Sequence, residues 1–65
     1  MAFELLIKHY RNKLKITQEK LAEDSGVSRR YLFDIENGKK VPSLEILHSI
    51  AKALKLKTNS LIKDI

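Results

Sequence analysis

Apolar residues recur along the chain at intervals of three and four, a spacing that places side chains on one face of an α-helix. The first such stripe predicts a helix over residues 2–13 and consists of Phe3, Leu6, Ile7, Tyr10 and Leu14. Another predicts a helix that Pro42 and Ser43 open and consists of Leu44, Leu47, Ile50, Ala51 and Leu54. No segment alternates apolar and polar residues with the period of two typical of strands. The pattern therefore predicts an all-α chain.

Capping residues divide the middle of the chain into two short helices. Thr17 is a good N-cap for a helix that ends at Gly26. Ser28 is a good N-cap for the next helix, over residues 29–37, and Gly38 supplies a residue suited to ending it. The sequence therefore predicts two consecutive short helices separated by a tight turn.

The C-terminal segment predicts a fifth helix of one or two turns, capped by Thr58 and holding Leu61 and Ile62. Five short helices joined by short connections are typical of a bundle. With 65 residues, 43% of them hydrophobic, the chain can build one compact core. We therefore expect a single domain over residues 1–65.

Charge and composition narrow the class of protein. Thirteen Lys and Arg against eight Asp and Glu give a net charge of +5, which favours a polyanionic partner. The absence of Cys excludes disulfides and Cys-ligated zinc, and His9 and His48 have no companions at metal-ligand spacing. No apolar run approaches the ~20 residues that cross a bilayer, and the first residues do not resemble a signal peptide. We expect a cytoplasmic protein without a metal, a cofactor or a membrane partner.

No group of residues is typical of catalysis. Ser25, Ser28 and Asp34 lie close in sequence, but no His is placed to act as their base. Gly26 and Gly38 are too few for a phosphate-binding loop. We therefore expect neither an enzyme nor a small-molecule ligand.

Residues 18–37 meet the geometric requirements of a helix-turn-helix. Ala22 is small where the two helices cross, and Gly26 allows the tight turn between them. The space beneath is filled by Val27, Leu32 and Ile35. In such a motif the second helix, here called the recognition helix, enters the DNA major groove with its N-terminal residues towards the bases.

The recognition helix carries residues suited to reading bases. Arg29 and Arg30 can each donate two hydrogen bonds to guanine O6 and N7, and Asp34 can accept one from cytosine N4. A competing interpretation makes Arg30 and Asp34 an ion pair on a solvent-facing helix. We expect all three residues to contact bases.

Residues at the ends of the two helices are suited to holding the phosphate backbone. They are Thr17, Gln18, Asn37, Lys39 and Lys40. A second basic group is formed by Lys52, Lys55, Lys57 and Lys63. We expect that group to keep the domain soluble, with a peripheral DNA contact as the alternative.

The chain resembles the Cro/C1-type (XRE) helix-turn-helix family over nearly its whole length. The resemblance is carried by TQEKLA at residues 17–22, GVS at 26–28, IENGK at 35–39 and PSL at 42–44. It implies a five-helix, lambda-repressor-like DNA-binding domain with the helix-turn-helix at helices 2 and 3. It further implies a transcriptional regulator, usually a homodimer on a palindromic operator.

The resemblance also implies roles for single residues. Ser28 is expected to face DNA, and Gln18 to bind phosphate and brace the recognition helix. Arg11 is expected to form a structural salt bridge with Glu36. Three residues depart from the family's pattern, namely Lys15 where Gly is frequent, Ser25 where an apolar residue is common and Phe33 where a small or polar one is usual.

Four apolar residues near the C-terminal end exceed what a short tail must bury, namely Leu56, Leu61, Ile62 and Ile65. They either close as a lid over Phe3 and Leu6 or form a symmetric dimer contact. A dimer would set two recognition helices about one DNA turn, roughly 34 Å, apart. We expect a homodimer, at least on DNA.

These observations predict a sequence-specific double-stranded DNA-binding regulator, a repressor of a phage-like or mobile-element operon. Two alternatives are the controller protein of a restriction–modification operon and the DNA-binding part of a toxin–antitoxin pair. A different class is a protein-interaction module that uses Phe33 and the basic helix, since an aromatic ring there could touch a thymine methyl group or a protein.

Overall fold

The computed structural model describes the backbone of residues 3–64 and the side chains of residues 5–63. This part of the chain forms four α-helices, one 3₁₀ turn and two short strands. They are β1 (Phe3–Leu5), α1 (Ile7–Lys13), α2 (Gln18–Ser25), α3 (Arg29–Glu36), α4 (Leu44–Ala53), the 3₁₀ turn (Thr58–Leu61) and β2 (Ile62–Asp64). None of these helices combines the length and the apolar character that crossing a bilayer requires.

The helices α2, α3 and α4 each begin at a side-chain cap that the sequence predicts. The hydroxyl oxygen of Thr17 accepts a hydrogen bond from the amide of Lys20 at 3.1 Å. Ser28 caps α3 at 3.0 Å and Ser43 caps α4 at 3.2 Å in the same manner. Gly26 ends α2 in the left-handed conformation, with φ +76°. The predicted starts of these three helices are confirmed. The sequence could predict them because an N-cap hydrogen bond joins residues only three positions apart.

The prediction of five helices was wrong at both ends of the chain. Residues 3–5 form a strand that pairs antiparallel with β2, with Phe3 opposite Asp64 and Leu5 opposite Ile62. The amide of Leu6 extends this contact by donating to the carbonyl of Leu61 at 2.7 Å. Three-residue strands are too short to show alternation, and the pairing joins distant parts of the chain. Residue 2, the predicted start of the first helix, lies outside the described residues.

The predicted fifth helix is replaced by the 3₁₀ turn followed directly by β2. Thr58 does not cap it, because Lys57 holds the N-cap position without a side-chain hydrogen bond. The Thr58 hydroxyl instead lies 3.1 Å from Nδ1 of His48 and so links the turn to α4.

The core lies where α2, α3 and α4 meet the 3₁₀ turn. Its buried apolar residues are Ile7, Leu21, Ala22, Leu32, Ile35, Leu47, Ile50, Ala51, Leu54 and Leu61. α4 packs against α2 and the 3₁₀ turn, and α2 packs against α3. Leu44, predicted to share the buried stripe of α4, is 74% exposed because it is the first residue of that helix. This packing holds α2 and α3 in a fixed relation.

Candidate nucleic-acid interface

A tight turn joins α2 to α3. The amides of Gly26 and Val27 both donate to the carbonyl of Ala22, at 3.0 and 3.2 Å. A residue without Cβ adopts the positive φ of this turn at low cost, and the buried Ala22 is small enough for the two helices to approach closely. The arrangement is that of a helix-turn-helix with α3 as the second helix.

The first turn of α3 is exposed to solvent and basic. Ser28 caps the helix, and Arg29 and Arg30 follow, with 79% of the Arg30 side chain exposed. Nη1 of Arg29 lies 3.7 Å from Oε2 of Glu19, and both side chains are largely exposed. Such an exposed ion pair contributes little, so DNA can displace it at low cost. Two guanidinium groups are therefore available on the surface that a major groove would meet.

Asp34 departs from its expected place at the bases. The residue is only 6% exposed, beside the buried Ile35. Its Oδ1 lies 3.5 Å from Nε of Arg30, and its Oδ2 lies 3.7 Å from Nζ of Lys40. Within the described part of the chain, Oδ1 has no hydrogen-bond partner. The buried carboxylate beside two cations favours the ion pair of the competing interpretation over the expected contact with cytosine.

A partly buried group of polar side chains, here called the clamp, consists of Arg11, Gln18 and Glu36. Arg11 donates to both carboxylate oxygens of Glu36, from Nε at 2.8 Å and from Nη2 at 3.1 Å. Gln18 Nε2 donates to Glu36 Oε1 at 3.0 Å, and Arg11 Nη1 donates to the Ile16 carbonyl at 3.0 Å. The Glu36 side chain is 1% exposed, so its charge is compensated inside the protein. The clamp thereby joins α1, the start of α2 and the end of α3.

The residues expected at phosphate lie on two sides of the helix-turn-helix. Thr17 is exposed at the start of α2, whereas Gln18 is half-buried because its amide group belongs to the clamp. Beyond α3, Asn37 and Lys39 are exposed, and Asn37 Nδ2 donates to the Phe33 carbonyl at 2.9 Å. Lys40 extends its ammonium group over the ring of Tyr31, 5.5 Å from the ring centre. Thr17 and Gln18 thus lie at the start of α2, and Asn37, Lys39 and Lys40 lie beyond the end of α3.

A family model described as Helix-turn-helix matches residues 7–61, which include all four helices and the 3₁₀ turn. The chain belongs to the Cro/C1-type (XRE) helix-turn-helix family. The resemblance stated from the sequence is thereby confirmed, as is the prediction of a DNA-binding transcriptional regulator.

Two relatives differ in how much of their own length the XRE domain spans. An uncharacterized HTH-type transcriptional regulator of Methanothermobacter thermautotrophicus is 47% identical over 49 residues, which are 75% of this chain and 71% of the relative. The immunity repressor protein of Bacillus phage phi105 is 41% identical over 58 residues, which are 89% of this chain and 40% of the relative. The chain thus spans most of the first relative and less than half of the second.

Two solved structures share the arrangement of helices. The restriction-modification controller protein C.AhdI of Aeromonas hydrophila superimposes with a TM-score of 0.83 at 31% identity, over 85% of this chain and 83% of that one. SinR of Bacillus subtilis, a master regulator for biofilm formation solved in complex with DNA, gives a TM-score of 0.80 at 32% identity over 85% and 89%.

The apolar residues expected at a dimer contact of this XRE protein differ in their burial. Leu61 is fully buried, so it belongs to the core and is not available to a partner. Leu56 is half-buried against the core, and Ile62 in β2 stays exposed. Ile65 lies outside the described residues. The buried Leu61 agrees with the lid interpretation rather than with a dimer contact.

Sequence reasoning missed the exposed apolar residues beside the N-terminus of α4. Val41 and Leu44 flank Pro42 and Ser43 and are among the most exposed large apolar side chains of the described residues. The sequence could have predicted the exposure of Val41, because this residue lies in the loop before α4 and outside the apolar stripe of that helix. For Leu44 the helical spacing predicted burial, whereas the residue is 74% exposed at the first position of α4.

Histidine and carboxylate side chains do not assemble into a metal site within residues 5–63, where no three of them come together. His9 contacts the ring of Tyr10 edge-on, with the ring centres 5.0 Å apart.

Proposed function

We propose that this protein binds double-stranded DNA as a homodimer and represses transcription at a palindromic operator. One observation carries the proposal: the clamp fixes α3 while the first turn of that helix, with Arg29 and Arg30, stays exposed. The fold shared with SinR, which was solved in complex with DNA, supports the same placement of the motif. The phage immunity repressor among the relatives supports repression.

The residues divide into two roles in this proposal. Arg29 and Arg30 read bases, because their planar guanidinium groups match guanine O6 and N7. Ser28 lies at the groove as the exposed cap of α3. The phosphate backbone is held by Thr17, Gln18, Asn37, Lys39 and Lys40. Asp34 sets the position of Arg30 from beneath and does not itself contact a base.

Selection of binding sites from randomised duplexes at about 150 mM salt tests this function. Weak phosphate attraction is reduced at that salt, so only specific binding enriches a site. We expect a palindrome with half-sites about one helical turn apart, and sedimentation of the protein with that duplex should show two chains on one site. A binding signal equal for selected and random DNA would reject the proposal.

Two variants separate the roles on the selected site. Arg30→Ala should lose about 1–3 kcal/mol on the selected site and relax the preference at one base pair. Lys39→Ala should weaken binding to selected and random DNA alike and reduce the slope of log K against log salt by about one. If the two variants behave identically on both kinds of DNA, the assignment of bases to Arg30 and phosphate to Lys39 is wrong.

A second candidate is the controller of a restriction–modification operon. The TM-score of 0.83 with C.AhdI, over most of both chains, favours it. The discriminating observation is the position of the selected palindrome in the genome. A site upstream of a methyltransferase or endonuclease gene supports the controller, and a site within a prophage supports the phage-type repressor.

A further inference from the structure

Phe33 is an exposed aromatic residue on the surface that carries the two arginines. Its side chain lies in α3, and the residue is 40% exposed. It follows Arg29 by four positions and Arg30 by three, so all three side chains share one face of the helix. Leaving an aromatic ring in water forgoes the free energy that its burial would give. The ring is therefore placed where binding of DNA would cover it.

The ring forms one wall of a shallow cavity at the start of the helix-turn-helix. The cavity measures about 410 Å³ and is lined by Gln18, Arg29, Arg30 and Phe33. Cζ of Arg30 lies 5.9 Å from the centre of the Phe33 ring, within the range of a cation–π contact. A cation–π contact is an attraction between the charge and the ring, so the N–H donors of Arg30 can still bind a base.

We propose that Arg30 and Phe33 together read a two-base step, a guanine next to a pyrimidine with a C5-methyl group. This inference rests on the proposed function. Arg30 donates to guanine O6 and N7, and Phe33 packs on the methyl group of the neighbouring pyrimidine. Successive base pairs are about 3.4 Å apart along the helix axis, so two groups separated by 5.9 Å can reach neighbouring base pairs.

The chemistry of the major groove selects a methyl group as the partner of Phe33. The C5-methyl of thymine is the apolar group that the bases present there, and the other groups are hydrogen-bond donors and acceptors. A phenyl ring placed on a donor or an acceptor would remove its water and return no hydrogen bond. Thymine and 5-methylcytosine both carry the methyl group. The experiment distinguishes them.

The test removes or adds a single methyl group in the selected duplex. Deoxyuridine replaces the thymine beside the guanine in one pair of duplexes, and 5-methylcytosine is compared with cytosine in another. We expect the protein to bind each methylated duplex about fourfold more tightly than its unmethylated counterpart, the gain typical of burying one methyl group. A preference in the first pair alone assigns the pocket to thymine, and a preference in both extends it to 5-methylcytosine.

Variants assign the preference to the ring. Phe33→Ala should bind methylated and unmethylated duplexes equally, and Phe33→Leu should keep part of the preference because its side chain is apolar. Leu14→Ala is the matched control, since Leu14 is similarly exposed and lies at the end of α1. It should keep the full preference. Thermal unfolding of each variant establishes that the fold is intact.

Failure of this inference and failure of the proposed function give different results. If a selected palindrome is bound equally with thymine and with deoxyuridine at every position, Phe33 does not contact a methyl group, whereas the proposed regulator function is retained. A preference that persists in Phe33→Ala overturns the assignment to the ring. Selection of no site overturns both, and a protein partner lost in Phe33→Ala but retained in Arg30→Ala would establish the interaction module.

Discussion

The clamp is the structural feature that most depends on single side chains. Glu36 is almost completely buried, and Arg11 satisfies both of its oxygens while Gln18 binds one of them again. A buried charge is tolerated only when it is compensated in this way. The orientation of the recognition helix therefore depends on three side chains that come from three different helices.

Truncation of Arg11 should destabilise the fold strongly. Arg11→Ala leaves Glu36 buried without its cation, at a cost of about 3 kcal/mol. In a domain of this size we expect the melting temperature to fall by more than about 10 °C in thermal unfolding followed by circular dichroism.

The double variant Arg11→Met with Glu36→Leu is the control for this loss. It removes both charges together, so it should recover much of the stability. A melting temperature that Arg11→Ala leaves unchanged would show that the clamp does not hold the fold.

Asp34 shows what a helical pattern does not reveal. The spacing places it one turn beyond Arg30 on the recognition helix, where its carboxylate was expected to reach a base. Its carboxylate is buried and lies 3.7 Å from the ammonium group of Lys40, a residue of the following loop. Exposure of Arg29 and Arg30 follows from the sequence, whereas the contact between Asp34 and Lys40 joins the helix to a loop that helical spacing does not describe.

At the scale of elements, the sequence predicts the structures that local contacts determine. The caps at Thr17, Ser28 and Ser43 place the starts of α2, α3 and α4 correctly, and Gly26 places the end of α2, because each acts within one turn of helix. The strands β1 and β2 were missed because neither is stable alone and each depends on a partner far away in sequence.

The loop between α1 and α2 carries a local strain that the sequence signalled. Lys15 adopts φ +58° at the position where the family often has Gly. A side chain in the left-handed conformation costs about 1–2 kcal/mol, and glycine avoids this cost while losing more chain entropy on folding. The conformational cost is the larger of the two, so glycine at this position should raise the free energy of unfolding.

Lys15→Gly should therefore stabilise the protein by about 0.5–1 kcal/mol. Urea unfolding measures the difference as a higher midpoint with an unchanged m-value. Lys15→Ala is the matched control, because it removes the same charge and keeps a Cβ atom. Equal midpoints for the two variants would attribute the effect to charge and not to the backbone.

At the scale of the whole molecule, the chain has a net charge of +5, and Asp34 places a negative charge within its basic surface. Its carboxylate lies beneath Arg30 and Lys40 and cancels part of their attraction for phosphate. Electrostatic attraction of this kind acts on every DNA sequence, whereas hydrogen bonds to bases act on one. In the proposed function Asp34 also sets the position of Arg30, so its carboxylate lowers the affinity for all DNA and favours the reading of bases by Arg30.

Asp34→Asn should make the protein bind random DNA more tightly and distinguish the selected site less. The two side chains have the same shape, so the fold is kept, and the slope of log K against log salt should steepen by about one. Filter binding on selected and random duplexes at several salt concentrations measures both quantities.

Glu19→Gln removes one negative charge from an exposed pair with Arg29 and serves as the control. It should strengthen binding to both duplexes by the same factor. A ratio of selected to random affinity that is unchanged in Asp34→Asn would contradict the role given to the buried carboxylate.

The pairing of β1 with β2 also orders events during synthesis of the chain. The segment Phe3–Leu5 leaves the ribosome before the four described helices, but the strand with which it pairs is translated after them. The contact of α2 with α3 joins neighbouring segments and can form while translation continues. The helix-turn-helix can thus form on the nascent polypeptide, whereas β1 pairs with β2 and completes the fold only when Ile62–Asp64 has emerged.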